Sequence, residues 1–542
     1  MLSSHNASWY SLNNVNAGTP IAPREVWMSS QATPPPKWQP KKRNALWKLF
    51  LILLVGTLII AAVLVAADLY RSNTTLVVQV GGQQAEQIDL NQDLSISPYL
   101  LGSNVFPRTG TISQDRNGSG FMSYDQQVIL GLRSAKIKLL RFPGGNWGEQ
   151  YTLSTEQLDD FSSLLNQVGA QGIMQVQLSD PSDVTPVPLE TRASRAALLV
   201  DYMNNSKSIQ RTNAKAPFHP IRYWTIGNEP DLLINPDTQE KYTVEQYTNA
   251  FIAYSLAMHQ KDPSIKIFGP EISQYLGQAG PKDAEGKLWM GEFLSEISTY
   301  ERTHPLPFHL LDGVSFHYYP FGNTQENASA LLNNPTQWNT LLPPLRQFIR
   351  QQFGEDLPIG ITEINTNSAK VIPSQELAAV WWADTLGMLM SNQVEYVAFF
   401  STEGVSTPYP LFTQKGLSET AMLRAMQLFA RLQQNFVPVE GAQGPVSMYA
   451  TQDQGHAIVS VLFINKADEI QHVSVSADSV FPFGQWQHAG LTMPPYGMIM
   501  LTLHHGGSDE AFSFSNQENT QQIAPDIQHL LCGSNTDSML VC

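Results

Sequence analysis

Two glutamates, Glu229 and Glu363, each end a short apolar run rich in β-branched and aromatic residues. Ile221, Tyr223, Trp224, Thr225 and Ile226 lead into Gly227, Asn228, Glu229 and Pro230, so a carboxylate is set at the tip of a run that reads as a core strand. The stretch Pro358 to Asn367 repeats the arrangement, with Glu363 at the end of its apolar part. Two carboxylates that bracket one bond can divide the work of glycoside cleavage. One protonates the leaving oxygen while the other attacks the anomeric carbon or activates water. That chemistry requires the chain to bring the two tips together.

The elements around them allow it. From Ser97 onward, short apolar runs alternate with helical periods, the pattern of βα units in a parallel sheet. Strands are expected at Tyr99–Val105, Ile137–Phe142, Gly172–Leu178, Ile221–Gly227, Ile265–Gly269, Gly313–Tyr318, Ile359–Glu363 and Val394–Phe400. Helical stretches between and after them include Gln157–Val168, Arg192–Met203, Glu245–His259, Leu288–Ser298, Trp338–Phe353, Glu376–Leu389 and Ser418–Leu432. These repeats predict an α/β fold, a (β/α)8 TIM barrel over residues 95–432, within the usual range of about 200 to more than 400 residues. Active sites in such barrels lie at the C-terminal strand ends. Glu229 then ends the fourth strand and Glu363 the seventh, facing each other across the mouth.

The flanks read differently. Residues 1–45 are rich in Ser, Asn, Gln and Pro and are expected to be a disordered cytoplasmic segment. Lys41, Lys42 and Arg43 precede the charge-free run Leu49–Ala67, long enough at 1.5 Å per residue for the roughly 30 Å of a bilayer core. A transmembrane signal-anchor over 46–68 is therefore expected, with the rest of the chain extracytoplasmic by the positive-inside rule. A cleaved signal peptide ending near Val65-Ala66-Ala67 is the rival reading, against which stand the length of the apolar run and of the segment before it. Residues 69–94 are expected as a linker whose strand-like parts, Leu76–Val80 and Ala85–Leu90, join an all-β sandwich over 433–505. The polar tail, 506–542, is expected to be disordered. It holds both cysteines, Cys532 and Cys542, which could pair in an oxidising compartment but support neither a disulfide framework nor a cysteine metal site.

The formal net charge of −15 argues against a nucleic-acid partner, since a phosphate-binding surface needs a basic patch. No phosphate-cradling loop or metal-ligand spacing of histidines is present in the sequence, so neither cofactor nor metal is expected.

Four segments, taken together, resemble the clan A retaining glycoside hydrolases, a superfamily of (β/α)8 enzymes with catalytic glutamates after strands four and seven. They are Asn228-Glu229-Pro230, Thr362-Glu363, Ser315-Phe316-His317-Tyr318-Tyr319 and Leu140-Arg141-Phe142-Pro143-Gly144-Gly145-Asn146. The last is similar to a segment of the α-L-arabinofuranosidase branch, and more loosely of the heparanase-like and β-xylosidase branches. The resemblance implies Glu229 as acid/base, Glu363 as nucleophile, and Asn228 as a partner of the sugar 2-hydroxyl. It further implies that Arg141 supports Glu363, that Tyr319 hydrogen-bonds it, and that His317 lines the site. Asn146 joins this set as a substrate contact. Trp147, with Tyr318, Phe321 and Phe400, falls near strand tips where flat rings suit sugar faces, whereas Trp381 and Trp382 belong to the helix layer.

The sequence thus predicts a membrane-anchored retaining glycoside hydrolase acting on an oligo- or polysaccharide, its two carboxyl groups about 5–5.5 Å apart. A catalytically silent polysaccharide-binding barrel and a transglycosylase stay open as alternatives. Sugar specificity would reside in loops such as Asp180–Thr191 and Gln274–Gly286.

Overall fold

The computed structural model describes residues 44–71, 75–115, 119–178, 185–322, 327–368, 373–405, 408–440, 444–478, 486, 488–516, 524–533 and 538–542. The first 43 residues, and with them most of the expected cytoplasmic segment, lie outside the described residues.

Residues 1–67 and 68–542 form separate compact units. In the first, a helix begins at Asn44 and runs to Arg71. The expected membrane anchor is overturned, because among the described residues no helix is long and apolar enough to cross a membrane. The single-pass placement, with a cytoplasmic N-terminus and an outward-facing barrel, falls with it.

In the second unit, eight parallel strands close into a barrel: Tyr99–Asn104, Leu139–Phe142, Gln171–Val176, Tyr223–Ile226, Lys266–Ile272, Gly313–Tyr318, Ile359–Ile364 and Tyr396–Phe399. Strands covered on both faces read as continuous apolar runs, and the second, fourth, sixth, seventh and eighth are buried along their whole length. Helices follow the strands, several started by side-chain caps. Ser154 and Thr243 form reciprocal capping boxes with Gln157 and Gln246. Trp381 and Trp382 are fully buried on the helix Gln375–Ser391, in the helix layer as expected.

The barrel interior is layered. Tyr223 packs edge-on against Tyr99 at 5.6 Å and against Phe268 at 5.9 Å, and Phe268 meets Tyr396 at 4.9 Å, which fills the lower end with aromatic rings. Polar side chains lie nearer the C-terminal ends, among them Asn104, Arg141, Gln175, His317 and Glu363. Register shifts between Pro270 and Ile272 in the fifth strand and between Ile361 and Glu363 in the seventh re-aim the side chains there.

Two antiparallel sheets of six and seven strands accompany the barrel. Thr75–Val80 pairs with both Glu86–Asp89 and Gln471–Asp478, so residues before the barrel do enter the sheets. A second apolar core holds Leu76, Val78 and Ile88 of one sheet together with Val461 and Leu501 of the other. Tyr449 donates to Asp384 at 2.6 Å, tying this module to the helix Gln375–Ser391. The disordered tail expected over 506–542 is corrected. Glu510–Phe514 pairs with Met498–His504, Gln528–Leu530 pairs with Glu510–Phe514, and Leu540–Val541 pairs with His488–Met493. Cys532 and Cys542 form a disulfide.

Candidate active site

Glu229 follows the fourth strand in a turn that gives it a positive φ of 48°. That conformation is uncommon for a side chain with a Cβ, and it is fixed here by a hydrogen bond from the Glu229 amide to the Glu271 carbonyl at 2.9 Å. Glu363 sits on the seventh strand just beyond the register shift. Across the barrel mouth, oxygens of Glu229 and Glu363 and a ring nitrogen of His317 all lie within 4.8 Å of one another. His317, on the sixth strand, is the link between them. Its Nδ1 is 3.0 Å from Glu229 Oε1 and 3.5 Å from Glu363 Oε2.

Glu363 receives hydrogen bonds from Arg141 Nη1 and from the Tyr319 hydroxyl, both at 2.8 Å. Burial raises its pKa, while His317, Arg141 and the Tyr319 bond pull towards the carboxylate. Tyr319 is itself held by the loop Gln274–Gly286, since Gln274 bonds both its amide, at 3.1 Å, and its carbonyl, at 2.7 Å.

Arg141 is fully buried and organises the floor. Besides Glu363 it donates to Asn104 at 3.0 Å, Asn228 at 2.8 Å, Gln175 at 3.3 Å and Glu271 at 2.9 Å. Asn228 passes the contact on, donating to Asn146 at 3.0 Å. One guanidinium thus ties strands one, two, three, five and seven to the turn that carries Glu229.

Of the remaining expected residues, Asn146, Trp147 and Phe400 line a cavity of about 360 Å³ together with Glu229, Tyr319 and Glu363. Tyr318 does not join them. It is fully buried, packs 4.3 Å from Trp338 and is bonded to Asn334 and Gln337, so it serves the core. Phe321 packs against the barrel core and is absent from the residues that line the cavity. In the loop Asp180–Thr191, residues 180–184 lie outside the described residues.

Several site residues escaped the sequence reading. Glu271 is wholly buried, accepts from Thr362 at 2.8 Å as well as from Arg141, and has a positive φ of 58°. Its signal was available, because it too is a carboxylate ending an apolar run, but Gly269-Pro270 looked like the end of that strand. Asn104 and Gln175 carry no such signal, since isolated amides in strands are common. Glu149 accepts from Gln175 at 3.1 Å and from the Leu178 amide at 3.1 Å, and burial pushes its pKa up to about 7.

Burial alone would lower the His317 pKa, but the surrounding carboxylates Glu363, Glu229 and Glu271 raise it to about 10. The Glu229, His317 and Glu363 atoms are close enough to hold a metal ion. The same contacts suit a protonated imidazole placed between two carboxylates.

The chain is similar to several known proteins. The profile of glycoside hydrolase family 44 matches residues 148–321. The chain is 24% identical over 177 residues to α-L-arabinofuranosidase C of Emericella nidulans, a match that covers 29% of this chain and 33% of that protein. A probable α-L-arabinofuranosidase C of Aspergillus fumigatus is 24% identical over 233 residues, with 40% and 43% covered. The chain thus spans less than half the length of these curated relatives. Among solved structures, a family 44 xyloglucanase from Paenibacillus polymyxa superposes with a TM-score of 0.55 at 13% identity, covering 76% of this chain and 98% of that one. A family 51 α-L-arabinofuranosidase from Bifidobacterium longum gives 0.55 at 14% identity, covering 79% and 99%.

Proposed function

We propose that this clan A (β/α)8 glycoside hydrolase cleaves O-glycosidic bonds of an oligo- or polysaccharide with retention of anomeric configuration, using Glu363 as nucleophile and Glu229 as acid/base. The observation that carries the reading is that one oxygen of each carboxylate comes within 4.8 Å of the other. So close an approach favours double displacement, whose carboxyl groups lie roughly 5–5.5 Å apart, over inversion, which needs room for a water between them.

In the first step a Glu363 oxygen bonds to the anomeric carbon as the glycosidic C–O bond breaks, and Glu229 gives its proton to the departing oxygen. In the second, water attacks the anomeric carbon, Glu229 takes back a proton, and the glycosyl–Glu363 bond breaks. Arg141 and Tyr319 hold Glu363 in a fixed rotamer between them, and Arg141 fixes Asn228 beside it. Asn146 is the amide that lines the cavity for sugar hydroxyls, with Asn228 hydrogen-bonded behind it, while Trp147 and Phe400 supply ring faces.

The test is turnover of a panel of aryl furanosides and pyranosides, with the anomer of the first-formed product followed by NMR. Retention supports the assignment and inversion overturns it. Saturable glycan binding without turnover of any glycoside would make the chain a binding barrel instead.

A further inference from the structure

Glu149 is a carboxylate that neither step of the double displacement uses. It lies on the short helix Trp147–Gln150, of which Trp147 and the N-cap residue Asn146 line the cavity. Its side chain joins that helix to the ends of strands three and four. Oε1 accepts from Gln175 Nε2 and Oε2 from the Leu178 amide, each at 3.1 Å, and the Asn228 amide is a third, weaker donor. The approach is close. A Cβ on Gly148 would fall 2.4 Å from Gln175 Nε2, so a glycine there is what lets the helix come up to the strand.

The bonding has a direction. Gln175 gives its NH2 to Glu149 and its oxygen to Arg141 Nη2, 3.3 Å away, so the acceptor on one side and the donor on the other fix one orientation of the amide. Asn228 is held by its main chain to Glu149, and by its side chain to Arg141 at 2.8 Å and to Asn146 at 3.0 Å. Glu229 follows directly, and its own amide is bonded to the Glu271 carbonyl at 2.9 Å. The turn that carries Glu229 is thus tied to strand five by its own amide and to the helix Trp147–Gln150 through Asn228. An amide at position 149 keeps the shape but not this bonding. Its NH2 would meet either the Leu178 N–H or the Gln175 NH2, donor against donor, and turning Gln175 over would set its NH2 against Arg141.

We propose that Glu149 is a positioning residue for the acid/base: through the Asn228 amide and through Gln175, its carboxylate fixes the turn of Glu229 against the cavity wall made by Asn146 and Trp147. The proton of Glu229 is thereby aimed at a leaving oxygen held in that cavity. This inference rests on the hydrolase reading of the same site.

The test uses the full chain and, once an aryl glycoside identifies the accepted sugar, two glycosides of that sugar, one with an alkyl leaving group and one with dinitrophenolate. The readout is kcat/KM, which reports the first step. In Glu149→Gln it is expected to fall ~10–100-fold on the alkyl glycoside, as a misplacement of about 1 Å does, and less than ~3-fold on the dinitrophenyl glycoside, which needs no proton. Glu149→Gln/Gln175→Glu exchanges the two groups at unchanged charge. The carboxylate at 175 then accepts from Arg141 and from the new amide, whose oxygen accepts from Leu178, so kcat/KM on the alkyl glycoside should return to within ~3-fold of wild type. Equal losses on both leaving groups, an unchanged kcat/KM in the single variant, or an exchanged variant no better than the single one overturns the assignment and leaves the hydrolase reading intact. Should Glu149→Gln not fold, Gln175→Ala withdraws one donor from Glu149 and gives the same comparison: a loss confined to the alkyl glycoside supports the assignment, and equal losses overturn it. No turnover of either glycoside by the wild type overturns the hydrolase reading, and the role of Glu149 with it.

Discussion

Arg141 Nη2 and Glu271 Oε2 lie 2.9 Å apart, and neither side chain reaches solvent. Taking one charge out of such a pair leaves the other uncompensated in the barrel interior, at a cost of about 3–5 kcal/mol. Glu271→Ala is expected to lower the unfolding free energy by about that much. It should also slow turnover, because Glu363 is then left to balance the Arg141 charge without Glu271. Urea unfolding of the variant checks the first part. A loss under about 1 kcal/mol would mean that water or rearranged amides take over from Glu271.

Glu363 has two hydrogen-bond donors, Arg141 and Tyr319, and no role for it in packing is needed to explain their convergence. Glu363→Ala is expected to reduce kcat by on the order of 10⁴-fold or more while leaving the fold in place. External azide should restore turnover of an aryl glycoside and yield the glycosyl azide of opposite anomeric configuration. Activity close to the wild type in this variant removes Glu363 from the mechanism.

How far the sequence carries towards this site depends on whether a residue's signal is local. The barrel strands are legible because burial on both faces makes each a continuous apolar run, as at Gly313–Tyr318. Glu229 and Glu363 stand out as carboxylates that such runs do not explain. Glu271 carries the same signal, but its strand continues through Gly269-Pro270, residues that normally stop a strand, and bends at an irregular register. The tail is harder still. Its strands are two to five residues long and take their order from distant partners, as Leu540–Val541 does from His488–Met493. No window of sequence holds that information. The apolar run after Lys48 misled for the opposite reason, since composition there pointed to a membrane span that the described helix does not sustain.

The partners of Glu229 suggest how to isolate its role. A general acid contributes about 10²–10⁴-fold only when the leaving group needs a proton. Glu229→Ala is therefore expected to lose far more rate on a sugar or alkyl leaving group than on dinitrophenolate, which departs unaided. Steady-state kinetics on the two substrate types give the ratio. Equal losses on both would assign Glu229 to binding rather than to proton transfer.

His317 offers a test through stability. Its ring is enclosed by Glu229 on Nδ1, with Glu363 3.5 Å from the same nitrogen, and by Glu271 3.6 Å from Nε2. Arg141 reaches Glu271 and Glu363, and the Tyr319 hydroxyl reaches Glu363. The carboxylates hold the folded-state pKa at about 10 against the burial that opposes them. An exposed histidine in the unfolded chain titrates near ~6.5. A folded pKa above the unfolded one means that the native state binds the extra proton. The stabilisation is therefore complete below about pH 6.5 and is lost as pH rises from there through about 10. His317→Gln lacks this titration but shares every other group, so the gap in unfolding free energy between wild type and variant should narrow steadily as pH is raised from about 6 to about 10. Denaturant unfolding of both proteins across that range reads the gap directly. A gap that stays constant means the ring is neutral throughout and that the two catalytic carboxylates are not bridged by a cation.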